Sequence, residues 1–204
     1  MYCPHNKQIE PILQAIEACD GMIFAASSYQ GALPAIAKNF TDHLAFLLHR
    51  PRFFTKKALI ITTTGAVGGK SLTKSVAATL PGWGFNRCYR LSVAAYSWND
   101  YKPSMKDRDK AKRVTIAFYQ DVKSKKLHAP SFGVLIPFNL FQAICKTYAP
   151  GMKYESQDGV FWKQYEGMRY AKDVPMPFYK RAFAWLICQV GKAAGKKITI
   201  TYKK

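Results

Sequence analysis

Two short stretches hold the residue types most able to do chemistry: ASSYQG at 26–31 and TTTGAVGG at 62–69. Each follows a short apolar run and precedes a helical pattern, the position where open α/β sheets bind ligands. Hydroxyls, backbone N–H groups freed by glycine and a helix start suit a planar heteroaromatic ring with carbonyls, or a phosphate. Tyr29 adds a flat face for stacking. Singly, Gly65, Gly68 and Gly69 serve a tight turn, and Ser27 a helix cap, just as well. Two such loops at one sheet edge favour a ligand. No other chemistry competes. The five cysteines are scattered without a C-x-x-C pair, and the four histidines lack metal-ligand spacing. Neither a metal site nor a catalytic acid or base is assigned.

The elements that must position these loops alternate. Helical spacing of Ile9, Ile12, Leu13 and Ile16 predicts a helix over 7–19, and 22–26 reads as a buried strand. A helix over 33–49 follows, then a strand at 58–61, a helix over 71–80 and a strand at 89–95. Alternation of this kind predicts a parallel sheet with helices on both faces. Beyond 100 the pattern changes. A long basic helix is expected over 105–127, an apolar segment over 133–148, an aromatic-rich irregular region over 148–174 and a helix over 178–194. ITITY at 198–202 alternates like a stray strand. The expected division is 1–100 and 101–204.

The run IEACDGMIFAASSYQGALPAIAKNFTDHL resembles the central segment of the NADPH-dependent FMN reductase family, flavodoxin-like proteins related to iron–sulfur flavoproteins. Asp20, Gly21, Tyr29, Gly31, Lys38 and Asp42 carry the likeness. KKALIITTTGAVGGKS resembles the family's next strand and glycine-rich loop, and GWGFNRCYRLSVA the helix end and strand after that. The resemblance implies a flavodoxin-like fold and an oxidoreductase using FMN, with NAD(P)H as electron donor and a small molecule as acceptor. It implies that Ser27, Ser28, Tyr29, Gln30, Gly31 and Ala32, with Thr63, Thr64, Gly65, Gly68 and Gly69, flank the isoalloxazine ring. It also implies a homodimer. Ala26-Ser27 replaces the family's Ser-Pro, and Gln30 an aromatic residue. Family members begin with a strand, a phosphate loop, a helix and a second strand. This sequence starts after them, so the expectation is an N-terminally shortened version of a longer reductase with weakened flavin affinity, or a fold whose missing part another chain supplies. The alternative is a non-catalytic remnant or a membrane-surface interaction protein.

Charge is distributed unevenly. The net charge is +19, with 10 basic and 5 acidic side chains in residues 1–100 against 21 and 7 in 101–204. A field of this sign favours anionic partners. Aromatics within 178–187 beside Lys180, Arg181, Lys192, Lys196 and Lys197 read as an interfacial helix for an anionic membrane surface. No nucleic-acid motif is present, so nucleic acid is not expected as a partner. His49, Arg50 and Arg52 read as a solvated connection or as a clamp for nucleotide phosphates. The N-terminus has no secretory pattern, and no apolar run is long enough to span a bilayer, so the expected location is cytoplasmic, peripheral at the inner membrane face.

Overall fold

Three apolar runs too short for helices become three parallel strands. The computed structural model describes residues 6–66, 68–96, 100–152 and 155–196; ITITY at 198–202 and Cys3 lie outside them. The chain divides into two compact units, Met1–Lys126 and Leu127–Lys204.

In the first unit, helix α1 (Asn6–Ala18) leads to β1 (Gly21–Ser27), α2 (Ala35–His43), β2 (Lys57–Thr64), α3 (Gly69–Gly82), β3 (Arg87–Ala94) and α4 (Met105–Ser124). The strands pair in the order β1-β2-β3, parallel throughout. Ser27 sits opposite Thr63, and Thr63 opposite Val93, so the carboxyl ends of the strands finish level. This is a flavodoxin-like α/β arrangement.

Alternation along β2 separates the two faces of the sheet. Ala58 and Ile60 join Leu13, Ile16, Phe24, Leu72, Val76 and Leu80 in one core. Thr62 faces the same way, and its hydroxyl bonds Thr73 on α3. On the other face, Gly21 approaches Phe118 and Val122 of α4, and Tyr89 donates to Asp121 at 3.0 Å. Lys57 is almost wholly buried and bonds Asn86 at 3.2 Å. Burial pushes the Lys57 ammonium down, and the Asp121 carboxylate pulls it partly back up.

Several elements differ from the sequence expectation. The helix predicted over 33–49 stops at His43, and a 3-10 turn at Ala45–Leu48 replaces its end. Fully buried Leu44 and Leu47 anchor that turn, whereas α2 has no fully buried residue, packing only Ala37 and Phe40 partly against the core and leaving Ile36 exposed. β2 runs through Thr64, because the threonines taken for loop continue the ladder with β3. The long basic helix, placed after a boundary at 100, lies in the first unit, where Phe118, Asp121 and Val122 pack on the sheet.

The second unit is helical. It contains α5 (Phe132–Cys145), a 3-10 turn at Lys146–Tyr148, α6 (Gln157–Lys163) and α7 (Phe178–Gly195). The short α6 falls where the sequence suggested irregular chain. Ser156 caps it by accepting from the Gly159 amide at 3.0 Å. Small residues bring α7 close to α5: a Cβ on Gly191 would lie 2.7 Å from Ala143 Cβ. Buried Asn139 and Gln142 on α5 tie down the chain after α6. Asn139 donates to the Arg169 carbonyl at 3.1 Å, and Gln142 to the carbonyls of Tyr165 and Met168. Phe138 packs between the rings of Trp162 and Tyr170, each 4.8 Å away. Among the described residues, no helix is long and apolar enough to cross a membrane.

Candidate functional site

The two chemically suggestive loops meet at the carboxyl ends of β1 and β2. Their meeting follows from the register, because Ser27 and Thr63 end neighbouring strands side by side. Their hydroxyls lie 3.2 Å apart, and the Ser28 amide donates to the Thr63 carbonyl at 2.7 Å. The chain then reverses in a tight turn, with reciprocal hydrogen bonds between Tyr29 and Ala32. Gln30 and Gly31 at its centre have φ of 52° and 77°. Two positive values in succession make this a type I′ turn.

Gly68 closes the seam between the loops. Its φ is 91°, and a Cβ there would lie 3.0 Å from Gly31 Cα and 3.2 Å from Ser28 Oγ. Glycine is therefore required twice over, by backbone conformation and by close approach. Gly68 also occupies the cap position of α3 without offering a side chain to it. The first amides of that helix thus receive no acceptor from their cap residue, a ready set of donors.

Beside the seam lies a cleft of about 390 Å³. The start of α3 (Gly68, Gly69, Lys70 and Ser71) forms one wall, and Ser92, Ala94 and Tyr96 at the end of β3 form the other. Thr64 and Ala66 complete it. Gly65 has open space within 4 Å of where its Cβ would be. Ser28 Oγ is buried and has no partner among the described residues.

Of the residues singled out from the sequence, Ser27, Ser28, Gly31, Thr63 and Gly68 meet at the seam, and Thr64, Gly68 and Gly69 line the cleft. Tyr29 and Gln30 do not line it; they sit exposed on the turn, with Ala32 closing it. Sequence reasoning missed Ser92, Ala94 and Tyr96. Tyr96 has φ of 50°, and its amide donates to the Gly65 carbonyl at 2.7 Å. An aromatic residue directly after the third apolar strand was the available signal.

The arginines at 50 and 52 lie elsewhere. They precede β2 and so stand at the opposite end of the sheet from the cleft. Arg52 pairs with Glu17 at 2.8 Å, and both guanidinium groups stack over Phe46. These contacts hold the connection in place and correct the reading of the pair as a phosphate clamp. Among the described residues, no cluster of His, Cys, Asp and Glu could hold a metal.

Loops meeting where parallel strands end, on a β-α-β frame, are where open α/β sheets bind ligands. Residues 1–96 are similar to the family described as NADPH-dependent FMN reductase. The family uses FMN as cofactor and NAD(P)H as electron donor. The solved structure of the Trp repressor binding protein from Bacillus subtilis is also similar. The two share 18% identity with a TM-score of 0.37, over 56% of this chain and 72% of that one. No curated protein matches.

Proposed function

We propose that the first unit binds the isoalloxazine ring of FMN at the seam and cleft and acts as an FMN-dependent oxidoreductase. NAD(P)H is the donor and a small molecule the acceptor. The observation that carries this reading is the convergence of 27–32 and 63–69 at Gly68, beside the uncapped start of α3. The residues present fit the group. The amides at the start of α3 are donors for the ring's carbonyl edge, and the space at Gly65 admits a flat body. Tyr96 on the cleft wall offers an aromatic face, and Tyr29 on the turn is the counterpart expected from the sequence. When bound, FMN supplies the redox chemistry, accepting a hydride from NAD(P)H and passing electrons onward. The chain's own contribution is to hold and orient the ring's polar edge; no side chain is assigned a proton-transfer role.

Titration of the purified protein with FMN, followed by flavin fluorescence, tests this. Saturable quenching, weakened in Gly65→Val, together with FMN-dependent NAD(P)H oxidation, is expected. A colourless protein that leaves FMN fluorescence unchanged overturns it. We further read the protein as cytoplasmic and dimeric. The outer edge of β1, GMIFAAS, has no charge or proline and pairs with no other strand among the described residues. A mass in solution that stays monomeric at high concentration refutes the dimer.

A second reading rests on α7. Phe178 (85% exposed), Trp185 (52%), Leu186 (53%) and Val190 (53%) fall on one helical face, opposite the face packed on α5. Arg181 and Lys192 border that stripe, and α7 contains no acidic residue. Apolar bulk with a basic rim suits an anionic membrane surface. Co-sedimentation with phosphatidylserine vesicles, lost in a Trp185→Ala, Leu186→Ala double variant, supports this reading. Equal binding by both proteins removes it.

A further inference from the structure

One residue on the wall of the cleft in the first unit has a backbone conformation that its side chain disfavours. Tyr96, just beyond β3, has φ of 50°. Among the described residues, two other non-glycine positions have positive φ, Gln30 and Lys125. Gln30 sits in the type I′ turn after β1 and Lys125 at the cap that ends α4, where left-handed geometry is ordinary. Tyr96 does neither. It prolongs the pairing of β3 with β2: the Ala95 amide donates to the Thr64 carbonyl at 2.9 Å, and the Tyr96 amide to the Gly65 carbonyl at 2.7 Å. A bulky residue in this region is an outlier, and such conformations persist where surrounding contacts impose them, most often at ligand sites.

The strain is not offset within the flavin-free unit. The Tyr96 side chain is 77% exposed, so it buries little against its surroundings. Asparagine or glycine would adopt the same backbone at lower cost. What tyrosine adds is a flat aromatic face on a cleft of about 390 Å³. The facing wall is the start of α3, whose first amides receive no acceptor from their cap residue.

We infer that Tyr96 stacks on the flat face of the ring bound in this cleft, and that its left-handed backbone serves binding at the expense of stability. The inference rests on the flavin reading. The α3 amides meet the polar edge of the isoalloxazine, while the phenol ring covers one face of it and excludes water there.

The test uses the full chain with Tyr96→Asn and Tyr96→Phe. Without FMN, Tyr96→Asn should keep Tm level or raise it by up to about 4 °C, because asparagine tolerates the left-handed backbone. In fluorescence titrations, Tyr96→Asn should bind FMN about fivefold or more weakly than wild type. Tyr96→Phe, which keeps the flat face, should bind within about twofold of it. At saturation the flavin should be brighter in Tyr96→Phe than in wild type, because an adjacent phenol quenches the excited ring by electron transfer and a phenyl group does not. A wild type that leaves FMN unbound overturns the flavin reading and this inference together. Where the wild type binds, equal affinity in Tyr96→Asn overturns the inference alone. So does a fall in the Tm of flavin-free Tyr96→Asn, or unchanged brightness in Tyr96→Phe.

Discussion

Replacing Gly68 by alanine tests the seam directly. The residue has φ of 91°, a conformation that costs an L-residue about 1–2 kcal/mol. The new Cβ would also lie 3.0 Å from Gly31 Cα and 3.3 Å from Gly31 N, both backbone atoms that cannot swing aside. Moving that turn by a few tenths of an ångström adds about 1 kcal/mol. The expected loss is therefore about 2–3 kcal/mol, which for a unit of this size lowers Tm by roughly 6–15 °C. Gly65→Ala is the control, because its Cβ enters open space and its φ is not left-handed. It should change stability by less than about 0.5 kcal/mol. Urea denaturation of the three proteins measures both effects. The geometry is refuted if Gly68→Ala is as stable as wild type, or if Gly65→Ala is the more damaging change.

Tyr89→Phe removes a hydrogen bond to the buried Asp121 carboxylate and should cost about 1.5–3 kcal/mol at neutral pH. Burial, and then the bond to Asp121, raise the Tyr89 phenol above its ordinary 10.0, so its contribution is complete below that pH. It disappears as pH climbs through the folded value, and urea curves of wild type and Tyr89→Phe should converge only there. Gln142→Leu strips the donor from the Tyr165 and Met168 carbonyls and should lower stability by about 2–4 kcal/mol in thermal unfolding. Burial pushes the Cys88 and Cys145 thiols up to about 12. At pH 8 both should react with an aromatic disulfide only after denaturant is added, and rapid labelling of the native protein would contradict this.

The sheet was legible because Met22, Ile23, Phe24 and Ala58, Leu59, Ile60 are runs too short for a helix and bounded by turn residues. The loops were legible for the same reason, since Gly68 and the 29–32 turn use residues whose conformational demands are written in their types. Where reading failed, tertiary packing had decided. Buried Leu44 and Leu47 break a periodic pattern into a helix and a 3-10 turn, and ladder pairing with β3 draws Thr62, Thr63 and Thr64 out of the loop. The far wall of the cleft was invisible because Ser92 and Tyr96 reach it through strand order, which local periodicity does not encode. The split at 126 escaped notice because α4 looks solvated in sequence; its few sheet-facing groups, Phe118, Asp121 and Val122, are spread thinly among lysines.

Helix α7 meets α5 through Ala184, Cys188, Gly191 and Gly195 and turns its bulk outward. Mutational sensitivity along it is thereby reversed from that of an ordinary surface helix. Enlarging Gly191 by a single methyl should unsettle the fold, whereas cutting Trp185 or Leu186 back to alanine leaves the interior intact. Any defect that follows trimming those two side chains therefore reports on what they touch outside the unit, not on whether it folds.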